Sequence, residues 1–393
     1  MAFSISFFSN FFNSHQLPVA LELYGASNVS YCFVAMSYVD GLTGRACLND
    51  EYPFVLKPYL STREADEAMR HVFEDDIVIF GDMAGDESYV RARAKTGKPF
   101  FRYTERLLKR GDWWALMPPK RLRTFDRFNR YIKSPMYVLC ASAFASRDLV
   151  KLGFPSDRCL KWGYFPATRM SNARGEHRIT SEKWKLCSAQ RLISWKRVDL
   201  QLKMAKGLKD LGLPFTLTIA GDGDCSEELK YLAETLDVTD CVNFVGGLTA
   251  EETASLMCDG DIFITTSNRK EGWGAGVNEA MAAGCALVAS SEVGSAPYLI
   301  KPGINGTIFN SGDAEDLTRV VQGLMRDREG TLCLARAGQD VVGGLWGARS
   351  AADRLICIAE QYLSHGCIEP YSEGPLSFAE PMNDDWYLNE GSR

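Results

Sequence analysis

Apolar and polar positions along this chain fall into two alternating rhythms. Compact apolar runs at Phe3–Ser9, Val29–Ala35, Asp76–Phe80, Lys98–Tyr103 and Met136–Cys140 predict strands. Helical spacing predicts a short helix ending at Tyr24, another over Ser146–Leu152, and one opened by a Ser61/Glu64 capping box. The last of these has an expected buried face of Ala65, Met69, Val72 and Phe73. A second series repeats the theme, with strands near Leu186, Phe215–Ala220, Val242–Val245, Ile262–Thr266 and Leu287–Ser290. Its helices include one behind a Thr249/Glu252 capping box and Asp316–Arg326, with Leu317, Val320, Val321 and Leu324 inward. Such alternation predicts an α/β protein with two parallel sheets, each covered on both faces. Ligands of these sheets bind beyond the C-terminal strand ends, which singles out Asn10–Gln16, Gly81-Asp82 and Glu105-Arg106 in the first half.

These patterns divide the chain into a Rossmann-like domain over 1–166, a linker over 167–183 and a second Rossmann-like domain over 184–350. A final helix follows within 351–368. The stretch 369–393, rich in Pro, Asp, Glu and Gly, is expected to be loosely ordered.

Between the run Asp261–Ser267 and the helical face Val277, Ala280, Met281 and Gly284 lies Glu271-Gly-Trp-Gly-Ala-Gly276. A strand there hands over to a helix N-terminus, where unpaired N–H groups and the positive dipole end favour a phosphate. Glycines at 272, 274 and 276 let the backbone approach a ligand. Carboxylates at Glu271 and Glu279 suit hydroxyl donors, so the implied ligand carries both phosphate and sugar hydroxyls, as a nucleotide sugar does. The bland alternative is a solvated acidic pair at a helix start, where acids are favoured in any case.

The Glu271/Glu279 spacing resembles the E-x7-E element of the GT4-type retaining glycosyltransferases, group 1, which have the GT-B fold. Arg191-Leu192 with Lys196, Ile219–Gly223, Phe244-Val-Gly246, Ala280–Gly284 and Gly303–Gly306 follow in that family's order across roughly 185–327. Ala286 and Ser295 are mild departures. The resemblance implies two Rossmann-like domains facing each other across a cleft, with donor bound by the second domain and acceptor by the first. It implies that Glu271 contacts donor-sugar hydroxyls and Glu279 the nucleotide ribose. Gly272, Trp273, Gly274, Ala275, Gly276 and Gly246 would complete the donor site. Arg191 and Lys196 would stabilise the departing diphosphate, with Arg197 able to share the role, so that neither metal nor other cofactor is expected. His15 is a weaker donor-side candidate, set against an ordinary surface histidine. Glu105 stands where related enzymes often carry a functional histidine and is a candidate for orienting the acceptor hydroxyl. The plainer reading is a pair between Glu105 and Arg106. His71, His177 and His365 look incidental.

Composition narrows the picture. A net charge of −6 disfavours a nucleic-acid partner, and 46% apolar with 24% charged residues is globular. Twelve cysteines without C-x-x-C spacing read as small buried hydrophobes of a reducing cytoplasm rather than disulfides or a zinc site. The apolar start, Met1–Phe12, lacks a basic n-region and a cleavage site, and no run has the apolar length of a membrane span. Asp222-Gly-Asp224 and Asp259-Gly-Asp261 imitate metal-binding D-x-D pairs but have turn composition. Gly221–Ser226 imitates a dinucleotide fingerprint without its third glycine. From Arg102 to Lys133, Arg106, Lys109, Arg110, Lys120, Arg121, Arg123, Arg127 and Arg130 interleave with Trp113, Trp114, Leu122, Phe125 and Phe128. That mixture suits an anionic membrane surface and equally an amphipathic helix with a solvated basic face.

The expected protein is a metal-independent retaining transferase using a UDP- or GDP-sugar and a hydroxyl acceptor in glycan or polysaccharide assembly. The acceptor would be a glycan or lipid-linked glycan, and the protein cytoplasmic, peripheral at the inner face of the plasma membrane. A catalytically silent sugar-nucleotide binder on the same fold is the alternative, and an NAD-dependent oxidoreductase a distant third.

Overall fold

A computed structural model describes residues 2–38, 47–83, 85–167 and 183–388. The expected linker over 167–183 and His177 lie outside the described residues, apart from Ala167 and Lys183. Two compact units are present. The first comprises Met1–Ala167 with Leu345–Met382, and the second Thr168–Gly344 with Asn383–Arg393.

The first unit holds a seven-stranded sheet: β1 (Phe3–Ser9), β2 (Val29–Ala35), β3 (Val55–Leu56), β4 (Ile77–Phe80), β5 (Phe100–Thr104), β6 (Met136–Cys140) and β7 (Cys159–Lys161). Its order is β3-β2-β1-β4-β5-β6-β7, and the pairings are parallel. Ile77–Phe80 is buried at every position, as a strand covered on both faces must be. The Ser61 hydroxyl caps the helix Thr62–Glu74 by accepting from the Glu64 N–H. That helix is turned slightly from the expected face: Ala68 and Val72 are buried while Phe73 is 48% exposed. Helix Ala348–His365 packs against helix Leu17–Gly25 and ends on Gly366 at φ +72°.

The second unit has six strands, β8 (Trp184–Ala189), β9 (Phe215–Ala220), β10 (Val242–Gly246), β11 (Ile262–Thr265), β12 (Ala286–Ser290) and β13 (Thr307–Phe309), in the order β10-β9-β8-β11-β12-β13. These pairs are parallel too. Both arms of the Thr249/Glu252 capping box form. The helix over Ala314–Arg326 starts on an Asp313 cap and buries Leu317, Val321, Leu324 and Met325, with Val320 partly covered.

The expectation of a loose tail is overturned for its described part. Leu376 N–H donates to Lys161 O (2.7 Å), Lys161 N–H to Ser377 O (2.8 Å) and Ala379 N–H to Cys159 O (2.8 Å). The tail thus covers the open edge of β7, which would otherwise present unpaired backbone groups. Leu376 and Ala379 are buried there. A polar average composition concealed a few well-placed apolar anchors.

Candidate functional site

In each sheet the chain order reverses once, between β1 and β4 in the first unit and between β8 and β11 in the second. Loops leaving the C-terminal ends of such neighbouring strands diverge and leave a crevice, the usual ligand site of open parallel sheets.

In the second unit the two loops are Gln190–Arg197 and Thr266–Ala275. Asn268 N–H donates to Trp195 O (2.9 Å), and the Thr266 hydroxyl donates to Lys196 O (2.8 Å). Below them the buried Gln201 amide donates to Ser188 Oγ and Thr266 Oγ1, both at 3.1 Å. This bracing brings Lys196 Nζ onto Glu271 Oε2 in an ion pair whose side chains are only 15% and 16% exposed. Glu271 is further held by its N–H on Asn268 O (2.9 Å).

The glycine turn leads into helix Gly276–Ala283. Gly274 has φ +88°, and a Cβ there would come 2.9 Å from Val293 Cγ1, so both conformation and space demand glycine. Glu279 sits half-buried in the first helical turn. Its only perturbation is desolvation, which raises its carboxyl pKa above the ordinary value. The Trp273 indole is 1% exposed and donates to Asn278 Oδ1 at 2.8 Å, pegging the turn from beneath, so what the turn presents at this position is its backbone. Gly246 ends β10 at φ +72°, and its carbonyl accepts the Gly221 N–H at 2.7 Å. A Cβ on Gly221 would lie 1.9 Å from Gln190 O, so that glycine sets the packing of the β8 and β9 loops.

The three cations differ. Arg191 is exposed, makes no ion pair among the described residues, and has its guanidinium 5.7 Å from the Trp195 ring. Lys270 Nζ lies 6.0 Å from the same ring. Trp195, flanked by two cations, was missed from the sequence because a lone tryptophan in a turn reads as core. Arg197 adopts φ 52°, a left-handed conformation uncommon outside glycine, and is occupied by Asp199 through two bonds of 2.9 and 3.0 Å. Burial is the largest single effect on Asp199 and works against its charge, but the hydrogen bonds and charges of Arg197 and Lys203 together hold that carboxyl below its ordinary pKa. Of the D-x-D imitations, Asp259 pairs with Lys185 (2.8 Å) and Asp261 accepts the Lys185 N–H (2.9 Å).

At the first unit's reversal lies a cavity of about 340 Å³. Asn10, Asn13, His15 and Gln16 follow β1, Asp82 follows β4, Glu105 follows β5, and Lys109, Arg127 and Tyr164 close it. The Tyr164 hydroxyl donates to Glu105 Oε1, and Lys109 Nζ to Glu105 Oε2 at 2.8 Å. The cation beside Glu105 is therefore Lys109. Arg106 is instead buried, 3.9 Å from Asp148 and 4.3 Å over the Phe144 ring. The His15 ring stacks on Tyr164 (5.5 Å, 12°), and Tyr164 on Tyr103 (6.3 Å, 10°). Tyr164 escaped the sequence reading, since nothing local ties it to a strand end 59 residues earlier.

The basic stretch 102–133 is less uniform than its sequence. Arg102 is buried on a two-pronged contact with Glu87 (3.0 Å each), and Arg127 meets the same carboxylate at 3.2 Å. Arg110, Arg121 and Arg123 remain exposed, beside Trp113 (55%), Leu116 (75%), Leu122 (69%) and Phe125 (53%). Among the described residues no helix is long and apolar enough to cross a membrane.

Residues 170–340 match the family model of the glycosyl transferases group 1. An amylovoran biosynthesis glycosyltransferase of Erwinia amylovora is 30% identical over 174 residues, 43% of this chain and 40% of the relative. A GDP-mannose-dependent phosphatidylinositol monomannoside mannosyltransferase of Mycobacterium tuberculosis is 26% identical over 224 residues, 55% of this chain and 57% of the relative. The matched stretches thus span between 40% and 57% of these two relatives. Among solved structures, Anabaena Alr3699/HepE in complex with UDP and glucose aligns over 92% of this chain and 100% of its own at TM-score 0.65 and 16% identity. TarM aligns over 91% and 99% at TM-score 0.70 and 10% identity. The segment 170–340 is a group 1 glycosyltransferase domain, and the chain has the α/β GT-B fold.

Proposed function

We propose that this protein is a retaining, metal-independent glycosyltransferase of the GT4 type, moving a sugar from a UDP- or GDP-sugar to a hydroxyl acceptor. The observation that carries the reading is the Lys196–Glu271 pair at the second unit's sheet reversal, beside a glycine turn with Glu279 in its first helical turn. In the reaction the bond between the anomeric carbon and the diphosphate oxygen breaks, and one from that carbon to the acceptor oxygen forms on the same face. The acceptor proton leaves with the diphosphate. Lys196 and the exposed Arg191 oppose the charge that grows on the departing diphosphate, so they act on the transition state more than on the bound donor. Arg197 serves chiefly to fix the loop through Asp199. Glu271 accepts from sugar hydroxyls once Lys196 turns to phosphate. Glu279, already desolvated, gains the ribose hydroxyls as donors.

The first unit's cavity takes the acceptor, with Glu105 orienting its hydroxyl and His15 on the wall. Relatives named for amylovoran biosynthesis and for a phosphatidylinositol mannoside support an acceptor in glycan or glycolipid assembly. The exposed Trp113–Phe125 face, with Arg110, Arg121 and Arg123, supports peripheral docking on an anionic membrane at the cytoplasmic side. The test is a thermal-shift screen of nucleotides followed by turnover with and without EDTA. A stabilising UDP or GDP and chelator-resistant transfer support the reading. Chelation that abolishes turnover, with recovery on Mn²⁺, sinks metal independence, and binding without transfer or donor hydrolysis leaves a silent sensor.

A further inference from the structure

After Met382 the chain leaves the first unit, and its next large side chain, Trp386, is buried in the second. The indole N–H donates to Ser291 O at 3.0 Å. Ser291 opens the loop after β12, and that loop grips the Thr266–Ala275 loop in three places, two of them in the glycine turn. The Glu292 carboxylate accepts the Arg269 N–H (3.0 Å), Ser295 N–H donates to Trp273 O (2.9 Å), and Val293 fills the space where Gly274 lacks a Cβ. Ser311 holds the loop from its far side, its N–H on Ser291 Oγ (3.2 Å) and its hydroxyl on Glu292 (2.9 Å).

We infer that Trp386 is a positioning residue for the nucleotide-sugar site: the segment Asn383–Leu388 clips the 290–295 loop, and the loop sets the turn that carries Glu271 and Glu279. The inference rests on the reading of that turn as the donor site. A tail that merely covered apolar surface needs no bond to the backbone of a loop tied to the turn and its approach by three contacts. Fixing Ser291 O removes freedom from the loop before ligand arrives, so the nucleoside diphosphate has less ordering to impose.

The test compares wild type, Trp386→Phe and Trp386→Ala by calorimetric binding of UDP and GDP, by donor and acceptor KM with kcat, and by thermal midpoint without ligand. The expected result is a nucleotide Kd and donor KM raised about threefold in Trp386→Phe, which loses only the N–H, and about tenfold in Trp386→Ala. Acceptor KM stays at the wild-type value. A purely structural role lowers the thermal midpoint and the active fraction while leaving Kd and donor KM unchanged, and that outcome overturns the clip. If Trp386→Ala does not fold, an unchanged Kd in Trp386→Phe overturns it alone. Wild type that binds neither UDP nor GDP removes the donor-site reading itself, and the clip with it.

Discussion

Lys196 and Glu271, 75 residues apart in sequence, meet in an ion pair at the point where the second sheet reverses its strand order. Each is the other's partner there, both largely buried. On the proposed function, a donor that offers phosphate to Lys196 and sugar hydroxyls to Glu271 would replace the contact for both.

Lys196→Ala is expected to lower kcat by about two orders of magnitude, because in the proposed reaction the charge it opposes develops only as the diphosphate leaves. It also takes the ion-pair partner from a largely buried Glu271, so the variant should melt earlier than wild type. Adding Glu271→Gln should recover part of the thermal midpoint and none of the rate. A double variant that regains turnover would make the pair structural, and a variant that raises only KM would make Lys196 a ground-state ligand.

Glu279→Gln separates stability from binding. Desolvation raises the folded carboxyl pKa above its unfolded value, so between the two the folded chain holds more proton than the unfolded one. Stability at this position therefore falls as pH rises through that window. The ligand-free glutamine variant should be at least as stable as wild type at pH 7, with the difference closing near pH 4. Its nucleotide affinity should fall by about 1–3 kcal/mol, the loss of an acceptor for buried ribose hydroxyls. Thermal melts across pH, paired with calorimetry, check both halves, and undiminished affinity for UDP and GDP removes Glu279 from the donor site.

His71 offers a second pH effect of the same sign, away from the chemistry, although here it is the charged form that the fold favours. Its ring meets Asp75 at 3.0 Å, and this contact, aided by the Cys32 thiol, pushes its pKa up to about 10. Stability from a raised histidine pKa is fully present below the unfolded value of about 6.5 and is lost as pH climbs through the folded one. His71→Gln should cost about 1 kcal/mol at pH 7, with the gap to wild type shrinking toward pH 10 and kcat unchanged. Equal melts at pH 7 would show the contact to be inert.

Strands were the most legible feature of the sequence. Phe3–Ser9, Val29–Ala35 and Met136–Cys140 emerge with the boundaries their apolar runs define, because both faces of each are covered. The glycine turn was equally plain, since a strand, three glycines and a helix start leave few conformations open. What stayed hidden depends on partners distant in sequence. Arg102 looks like one more surface cation until Glu87 folds against it, and Arg106 until Asp148 and Phe144 do. Arg197 looks free until Asp199, two residues on, claims its guanidinium through a left-handed backbone. Tail residues Leu376 and Trp386 vanish into a polar average, and only the exposed edge of β7 and the Ser291 carbonyl reveal why they are ordered.

The proposed membrane face must be tested on the cations that remain outside. Arg127 is unsuitable, because reversing it would break the contact with Glu87. Arg110, Arg121 and Arg123 are exposed beside Trp113, Leu116, Leu122 and Phe125, and each cation near an anionic surface contributes about 1 kcal/mol. Wild type should therefore bind anionic vesicles in a manner that weakens with salt, as charges more than about 8–10 Å apart are screened at physiological ionic strength. Reversing the three arginines to Glu should abolish vesicle binding while leaving donor hydrolysis intact, since Lys196, Glu271 and Glu279, the proposed donor residues, belong to the other unit. Trp113→Ala should weaken binding with little change in its salt dependence, because the indole contributes apolar burial. Its half-exposed ring in the free protein means that the thermal midpoint should move little. If vesicle sedimentation recovers wild type and the triple variant equally in the supernatant at every salt concentration, the face does not dock on lipid, and the acceptor reaches the first unit's cavity from solution.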